Sequence, residues 1–351
     1  MKKAAALILV LMMLVTLVAC GGTSQDTPET TVEAEQSPTA LKFEKGTNKA
    51  LCPVCNKTVE WMGLTQAYVD TIQIKDEQGE IIDSAIMSGE VFASRHYYLE
   101  EDLIYRDSPV MGFFRGPGKG LTSCLHLNDH NITTTATTSV FGNSGILNVM
   151  GEGVVTGYSP NQTEGAAVRC GNRNANNGLN LYGGTYKKTE TTSPDGPVVA
   201  FDGAGRAVSV YEGVVIDGGD GVAVFANSSA SREKEGHLIL QGCTVYGTVK
   251  LAEWDTYLTK ADLIDCTIAG EVIVPAGHLA NLSGKVQIEK LTLGEDVKLT
   301  ATGLTDGSKI GLVADGIFTG KLESPETVAT YFLPESPKKI TVQENALHCG
   351  E

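Results

Sequence analysis

The cysteine pair Cys52-Pro53-Val54-Cys55 is the strongest chemical signal in the sequence. A C-x-x-C pair is typical of zinc knuckles, of redox-active disulfides and of local structural disulfides. A zinc site needs two further ligands; the nearest candidate is His96, whereas His348 and Cys349 lie much farther along the chain. Redox chemistry is disfavoured because no thioredoxin-like βαβ pattern surrounds the pair. The sequence therefore favours a local disulfide or free thiols, with zinc as the alternative.

Two acidic patterns are candidates for cation binding or acid–base catalysis. The run from Asp217 to Asp220, with two glycines between them, has the composition of a Ca²⁺ loop or an acid pair, and equally that of a turn. Glu212 and Asp265 share a place in the repeat described below and would lie about 9.6 Å apart, which suits an inverting pair of carboxylates. No carboxylate column continues through the other repeats, so we predict a turn, no catalytic residue and no cofactor, with Ca²⁺ or Zn²⁺ as the alternatives.

His126 and His130 have the i, i+4 spacing that shares a metal when it falls on a helix. Here Leu125 and Leu127 alternate with polar residues, which indicates a strand. On a strand the two histidines would be about 13 Å apart, too far to share a metal. We therefore predict solvent-facing or turn histidines.

The N-terminus carries an export signal. Lys2 and Lys3 precede an apolar run from Ala4 to Ala19, and Cys20 follows directly. These residues resemble a bacterial lipoprotein signal, which implies cleavage before Cys20, a lipid on its sulfur and an anchor on the outer face of the cell membrane. Residues 1–19 are thus the predicted signal peptide, and 20–49 a lipidated cysteine with a polar, disordered tether.

Five segments of the central chain repeat one pattern, with apolar residues at the first and third places. Their starts are separated by 32, 29, 30 and 23 residues, and each segment leads through small residues to another apolar position. Such a unit is too small to bury its own apolar face, so stacking of repeats must form the core. The pattern favours a parallel β-helix over leucine-rich repeats or a propeller. The segments begin at Leu147, Leu179, Val208, Leu238 and Ala261, and the later apolar positions are Val154, Tyr186, Val215, Val245 and Ile268.

The segments between Cys52 and Gly184, including His96-Tyr97-Tyr98-Leu99 and the repeat at Leu147, resemble the exported right-handed β-helix (pectate-lyase-like) proteins of Clostridia-like bacteria. The resemblance covers residues 50–285 and implies an all-β, right-handed parallel β-helix with an N-terminal cysteine-containing cap region. We expect the cap region over residues 50–95, the β-helix over 96–288, and the last coils or a β-rich cap over 289–351. These motifs specify architecture rather than chemistry.

Composition limits the function. Gly is 40 of 351 residues and the net charge is −15, which indicates many turns and excludes nucleic acid as a partner. We expect a non-catalytic, lipid-anchored surface protein that binds or displays, with the membrane and a surface glycan or protein as partners. A polysaccharide lyase or glycoside hydrolase for acidic polysaccharides is one alternative, marked by acids and a base on one face of neighbouring coils. A structural spacer is the other.

Overall fold

The computed structural model describes residues 41–46, 48–71, 73–75, 78, 81–84, 96–105, 114–115, 122–134, 139–143, 145–159, 165–171, 178–202, 207–227, 236–252 and 259–351. All of them belong to one compact unit, Gln36–Glu351. The predicted signal peptide, Cys20 and most of the tether lie outside the described residues. None of the described helices has the length and apolar character needed to cross a membrane.

Two long β-sheets make up most of the fold, and the chain passes repeatedly from one to the other. We call the first of these sheets sheet 1. Its strands pair in parallel, except for the first two, which form an antiparallel hairpin. Its strands, in spatial order, are β1 (Asn48–Cys52), β2 (Lys57–Leu64), β5 (His96–Leu99), β8 (Thr122–His126), β11 (Ile146–Met150), β14 (Gly178–Leu181), β17 (Ala207–Val210), β19 (Gly236–Gln241), β21 (Thr259–Ile264), β23 (Leu279–Gly284) and β25 (Thr300–Leu304).

Sheet 2 is parallel throughout and has a main path and a short side path. The main path runs through β6 (Leu103–Tyr105), β9 (Ile132–Thr134), β12 (Val154–Gly157), β15 (Thr185–Lys188), β18 (Val215–Asn227), β20 (Thr244–Leu251), β22 (Thr267–Val274), β24 (Gln287–Leu293), β26 (Lys309–Val313) and β28 (Phe332–Pro334). The side path holds β7 (Phe114–Arg115), β10 (Phe141–Asn143), β13 (Val168–Gly171) and β16 (Val199–Asp202). Both paths meet in β18, whose first part pairs with β15 and whose second part pairs with β16.

The five predicted repeat segments lie side by side in sheet 1, in the predicted register. Leu147 pairs with Leu179, and the same column continues through Val208, Leu238 and Ala261. All five side chains are buried. The prediction of an all-β fold built from stacked parallel repeats is therefore confirmed.

In sheet 2 the predicted register was wrong by one residue at two positions. The column that contains Tyr186 holds Val155 and Ile216, rather than Val154 and Val215. Val155 and Ile216 are buried, whereas the two valines are half-buried. Because side chains alternate between the faces of a strand, a turn of one residue more or less moves the apolar position by one place.

A continuous apolar core lies between the sheets and includes residues from Leu64 to Cys349. Cys243 and Cys266 both lie in it as free thiols. The residues that follow them, Thr244 and Thr267, are register partners on adjacent strands.

The ends of the sheets are finished by small elements. At the N-terminal end a helix, Gln66–Thr71, buries Val69 in the core, and a separate hairpin joins β3 (Gln73–Lys75) to β4 (Ile81–Ser84). At the C-terminal end stand a helix, Pro325–Ala329, and an antiparallel sheet of β27 (Gly316–Ile317), β29 (Lys339–Gln343) and β30 (Ala346–Gly350). The parallel strands continue beyond residue 288 as far as β28.

Candidate metal centre

Four side chains with metal-binding atoms converge near the N-terminal end of sheet 1. The ligand atoms of Cys52, Cys55, His96 and Cys124 all lie within 4.8 Å of one another. The sulfur of Cys124 is 3.8 Å from that of Cys52 and 3.7 Å from that of Cys55. Nε2 of His96 is 3.4 Å from the Cys55 sulfur. Within the described part of the chain, no other three His, Cys, Asp or Glu side chains form such a group.

The two thiols of the C-x-x-C pair are held by the tip of the β1–β2 hairpin. Cys52 ends β1 and pairs with Lys57, the first residue of β2. Asn56 closes the turn with a φ of 52°, a left-handed conformation that asparagine tolerates better than most residues, and its N–H donates to the Cys52 carbonyl at 2.8 Å. The backbone N–H of Cys55 donates to the Cys52 sulfur at 3.4 Å. This tight turn brings both sulfurs to the same side.

His96 and Cys124 reach the site from two adjacent parallel strands. They are register partners on β5 and β8, so their side chains leave the sheet on the same face about 4.8 Å apart. The residues that follow them, Tyr97 and Leu125, point into the main core. His96 and Cys124 therefore lie on the outer face of sheet 1, because successive side chains of a strand point to opposite faces.

A second, smaller apolar cluster, which we call the outer core, covers the site on this face. The Phe43 ring packs against Trp61, with centroids 4.9 Å apart, and against Tyr98 at 4.7 Å. The cluster excludes water, and three of the four candidate ligands lie in or against it. Its buried members are Leu41, Phe43, Cys52, Trp61, Tyr98, Cys124 and Met150, with Cys55 packed at its edge.

The three distances given above match tetrahedral zinc. Zn–S bonds of about 2.3 Å in a tetrahedron hold two sulfurs about 3.8 Å apart, and a sulfur and an imidazole nitrogen about 3.6 Å apart. A disulfide would need a sulfur–sulfur distance of about 2.05 Å, and the six cysteines whose side chains are described are free thiols. Three soft sulfur donors and one imidazole suit Zn²⁺ and do not suit Ca²⁺, which takes oxygen ligands.

The protein groups alone already prepare one thiolate. Hydrogen bonds, first from the Cys124 thiol and then from His96 and backbone N–H groups, lower the pKa of Cys52 to about 4 despite its burial. The pKa of Cys124 is raised because its proton is held by Cys52 and its sulfur is buried. Burial, followed by repulsion from Cys52, raises the pKa of Cys55. A metal cation would supply the charge that lets all three sulfurs ionise together.

Asn148 provides a polar contact behind the cluster. Its Nδ2 donates to the Cys124 sulfur at 3.6 Å, and its Oδ1 accepts from Nδ2 of Asn180 at 2.8 Å. The two asparagines are register partners on β11 and β14, so they extend the column of His96 and Cys124 along the outer face. Together with the Cys55 N–H, this amide offsets part of the negative charge that three thiolates bring.

Sequence reasoning found part of this site. It named Cys52, Cys55 and His96, but not Cys124, which is 69 residues from Cys55 and belongs to no local motif. The strand register around Cys124 would have revealed it, because Cys124 lies one residue before Leu125 and Leu127, which were predicted to alternate along a strand. The other ligand candidates, His348 and Cys349, lie in β30 of the C-terminal sheet and not at this site.

The predicted carboxylates do not converge. Glu212 and Asp265 are both exposed, and Asp265 accepts a 2.7 Å hydrogen bond from the backbone N–H of Lys285. Asp217 and Asp220 lie at the register shift within β18, where Asp217 accepts a hydrogen bond from the N–H of Gly219 at 3.0 Å. That bond is typical of an Asx turn, but here it lies at an irregularity within one continuous strand and not in a turn between strands.

The prediction of solvent-facing histidines was wrong for His126. This side chain is fully buried on the outer face of β8, where its ring meets Phe43 edge-on at a centroid distance of 5.2 Å. The N-terminal segment around Phe43 covers a face that the strand pattern alone would leave to solvent. His130 is partly exposed and lies 3.4 Å from the carboxylate of Asp102.

A second polar cluster, not predicted from the sequence, lies farther along the outer face of sheet 1. The Asp262 carboxylate is 2.6 Å from His237 Nε2 and 3.1 Å from Lys260 Nζ, both at its Oδ2 atom. Its Oδ1 atom is buried and has no hydrogen-bond partner among the described residues. Burial by itself would raise the pKa of Asp262, but the bonds from His237 and Lys260 outweigh it and lower the pKa.

The comparisons with known proteins add no family to this picture. No family model, no curated protein and no solved structure matches the chain. The function is therefore inferred from the residues and their geometry.

Proposed function

We propose that Cys52, Cys55, His96 and Cys124 bind one Zn²⁺ with a structural role, in an exported, lipid-anchored surface protein that binds or displays and does not catalyse. The observation that carries the proposal is the convergence of four ligand atoms within 4.8 Å. On this proposal the fold is a right-handed parallel β-helix, its first coils are closed by the cysteine-containing cap region of residues 50–95, and Cys20 carries the lipid.

The ligand set supports a structural rather than a catalytic metal. Catalytic zinc usually has three protein ligands and an open position for water or substrate, whereas four protein ligands complete the tetrahedron. The outer core supports this role, because Cys52 and Cys124 are buried beneath apolar side chains. A metal there joins the hairpin tip to β5 and β8, three pieces of chain far apart in sequence.

The non-catalytic role is supported by the exposure of Glu212, Asp220 and Asp265, three of the four acidic residues proposed from the sequence. The lyase or hydrolase alternative has one supporting observation, the buried Asp262 beside His237 on a neighbouring strand. Cleavage of an acidic polysaccharide by the protein, lost in Asp262→Asn and kept in Asp217→Asn, would overturn the non-catalytic assignment. The other alternative is a structural spacer. It would bind no surface glycan or protein, whereas a binding or display protein would.

The test of the metal site is stoichiometry. The chain from residue 20 onward, with Cys20 replaced by alanine (C20A), is expected to carry one zinc per molecule by elemental analysis after purification without added metal. Co²⁺ exchanged into the site should give the intense sulfur-to-metal absorption and the d–d bands of tetrahedral thiolate ligation.

Cys124→Ser should lose both the metal and the cobalt spectrum. Cys349→Ala is the matched control, because it removes a buried thiol at the other end of the fold, and it should keep them. Zinc bound equally by wild type and Cys124→Ser would contradict the proposed ligand set.

A further inference from the structure

We propose that the metal site is also a mechanical clamp, which transmits tension on the N-terminal chain from Cys52 directly to Cys124. The inference rests on the proposed metal and on the proposed N-terminal anchor. A protein held by its N-terminus experiences every pull on its surface as tension entering through the tether. The question is which bonds resist that tension.

The contacts that precede Cys52 are the burial of Leu41 and Phe43 in the outer core and a few polar bonds. Lys42 forms an exposed ion pair with Asp129, and the Phe43 backbone shares two hydrogen bonds with the Asn128 side chain, at 3.0 and 3.3 Å. Each of these polar contacts adds little, whereas burial of an aromatic ring adds more. Tension that enters at residue 41 must therefore pull Phe43 out of the outer core before it reaches β1.

The first strand offers little more resistance. β1 lies at the edge of sheet 1 and pairs only with β2, antiparallel, with Asn48 opposite Trp61 at the open end and Cys52 opposite Lys57 at the turn. Tension on Asn48 opens such a hairpin one residue pair at a time. Without a metal, opening would continue through the turn into β2 and then into the next coils, because each repeat is held only by its neighbours.

The metal changes this path. The sulfurs of Cys52 and Cys124 are 3.8 Å apart, although 72 residues separate them along the chain. Bonds from both sulfurs to one metal carry the tension from β1 into β8 and leave residues 53–123 outside the path. β8 pairs with a strand on each side, β5 and β11. Tension thus arrives at an interior strand rather than at the edge of the sheet.

The length of chain that the metal would shield from tension makes the clamp measurable. Rupture of the metal site would release the chain from Cys52 to Cys124, a sequence separation of 72, which is roughly 250 Å of extended chain. Without the metal, the same residues would come off in smaller steps and at lower force. The size of the lengthening step therefore shows which bonds carry the tension, whatever the absolute force is.

The experiment is single-molecule pulling in optical tweezers on the chain from residue 20 carrying C20A. One handle is attached at the N-terminus and the other through a clickable residue at Tyr246, which is 47% exposed on β20, so that the C-terminal sheet bears no tension. In Zn²⁺ we expect one abrupt lengthening of roughly 250 Å. In EDTA, or in Cys124→Ser, we expect lengthening in smaller steps at lower force.

Cys349→Ala should behave as wild type. Equal forces and step sizes in Zn²⁺ and in EDTA, from protein shown to bind zinc, would overturn the clamp and leave the structural zinc site standing. Absence of bound zinc would overturn both proposals. Absence of lipid on Cys20 in cells would overturn the anchor and leave the pulling result unchanged, so the failures are distinguishable.

Discussion

At the scale of single residues, the surroundings of a charged group decide what it does, and Asp262 shows this most clearly among the described side chains. Its carboxylate is about nine-tenths buried, with His237 on β19 and Lys260 on its own strand as partners. The paired residue on the other side, Asn281 of β23, is neutral. The lowered pKa of Asp262 means that folding favours its ionised form.

Asp262→Asn is therefore expected to lower the stability of the fold near neutral pH. The sign follows from linkage: a carboxyl group with a lowered native pKa stabilises the fold above its unfolded value of about 3.9, and this contribution is lost as pH falls through the native value. We expect a loss of about 1–3 kcal/mol near pH 7, which shrinks as the pH falls below about 3.9 and through the lower native pKa. The measurement is the urea midpoint as a function of pH. Asp220→Asn, at an exposed site, should leave the midpoint unchanged; a loss independent of pH would contradict the ionic explanation.

Single residues also mark the limit of prediction from this sequence. Cys124 and Asp262 stand in stretches with no motif of their own, and each gains its role from a partner on another strand. The C-x-x-C pair could be predicted as a candidate because its two thiols are neighbours in the chain. His96 could be named only as the nearest histidine, since nothing local to it indicates a metal.

At the scale of elements, the end of a parallel sheet is a hazard, because its last strand presents unpaired N–H and C=O groups to other chains. β6 is the terminal strand of sheet 2, and Ile104 within it is 46% exposed. The Gln66 side chain covers this edge. Its Oε1 accepts from the Ile104 N–H at 2.7 Å, and its Nε2 donates to the Ile104 carbonyl at 3.0 Å. One amide thus takes the place of a further strand.

Gln66→Leu should open this edge to other molecules. The leucine has a similar size but no donor or acceptor, so the polar backbone of Ile104 becomes available beside an exposed apolar side chain. We expect little change in stability, within about 1 kcal/mol, and concentration-dependent self-association by light scattering. Gln287→Leu makes the same change at an exposed position of the interior strand β24 and should stay monomeric. Association of both variants, or of neither, would contradict the edge argument.

Prediction from sequence succeeded best for elements of strict period. The column from Leu147 to Ala261 could be read from alternation alone, because a strand that buries one face leaves little freedom in its register. It failed where turns set the register, as between the two sheets at Val154 and Val155. It also failed on the outer face of sheet 1, where the cover over His126 comes from Phe43, more than eighty residues earlier.

At the scale of the whole molecule, the continuous core is built from local contacts, because each coil of a stack of repeats contacts only the coils next to it. Stability is then local, and the two ends open more easily than the middle. The proposed metal lies at one end and joins the hairpin tip to β5 and β8. A ligand that binds only the folded form stabilises the part of the fold that must form its site.

Removal of the metal should therefore loosen one end of the protein and not the whole. By hydrogen exchange with mass spectrometry, EDTA is expected to raise exchange in β1, β2, β5 and β8, because β1, β5 and β8 carry three of the ligands and the turn between β1 and β2 carries the fourth, Cys55. Exchange in β20, β22 and β24 should be the same with and without zinc. These strands belong to sheet 2 and do not pair with β1, β2, β5 or β8.

Cys124→Ser should reproduce the EDTA pattern without chelator, and Cys349→Ala should not. Loss of protection spread evenly over the fold would mean that the coils unfold as one unit and that the metal acts on all of them. Unchanged protection at the N-terminal end would mean that the outer core around Trp61 holds the hairpin without the metal, and the four ligands would then have no structural role there.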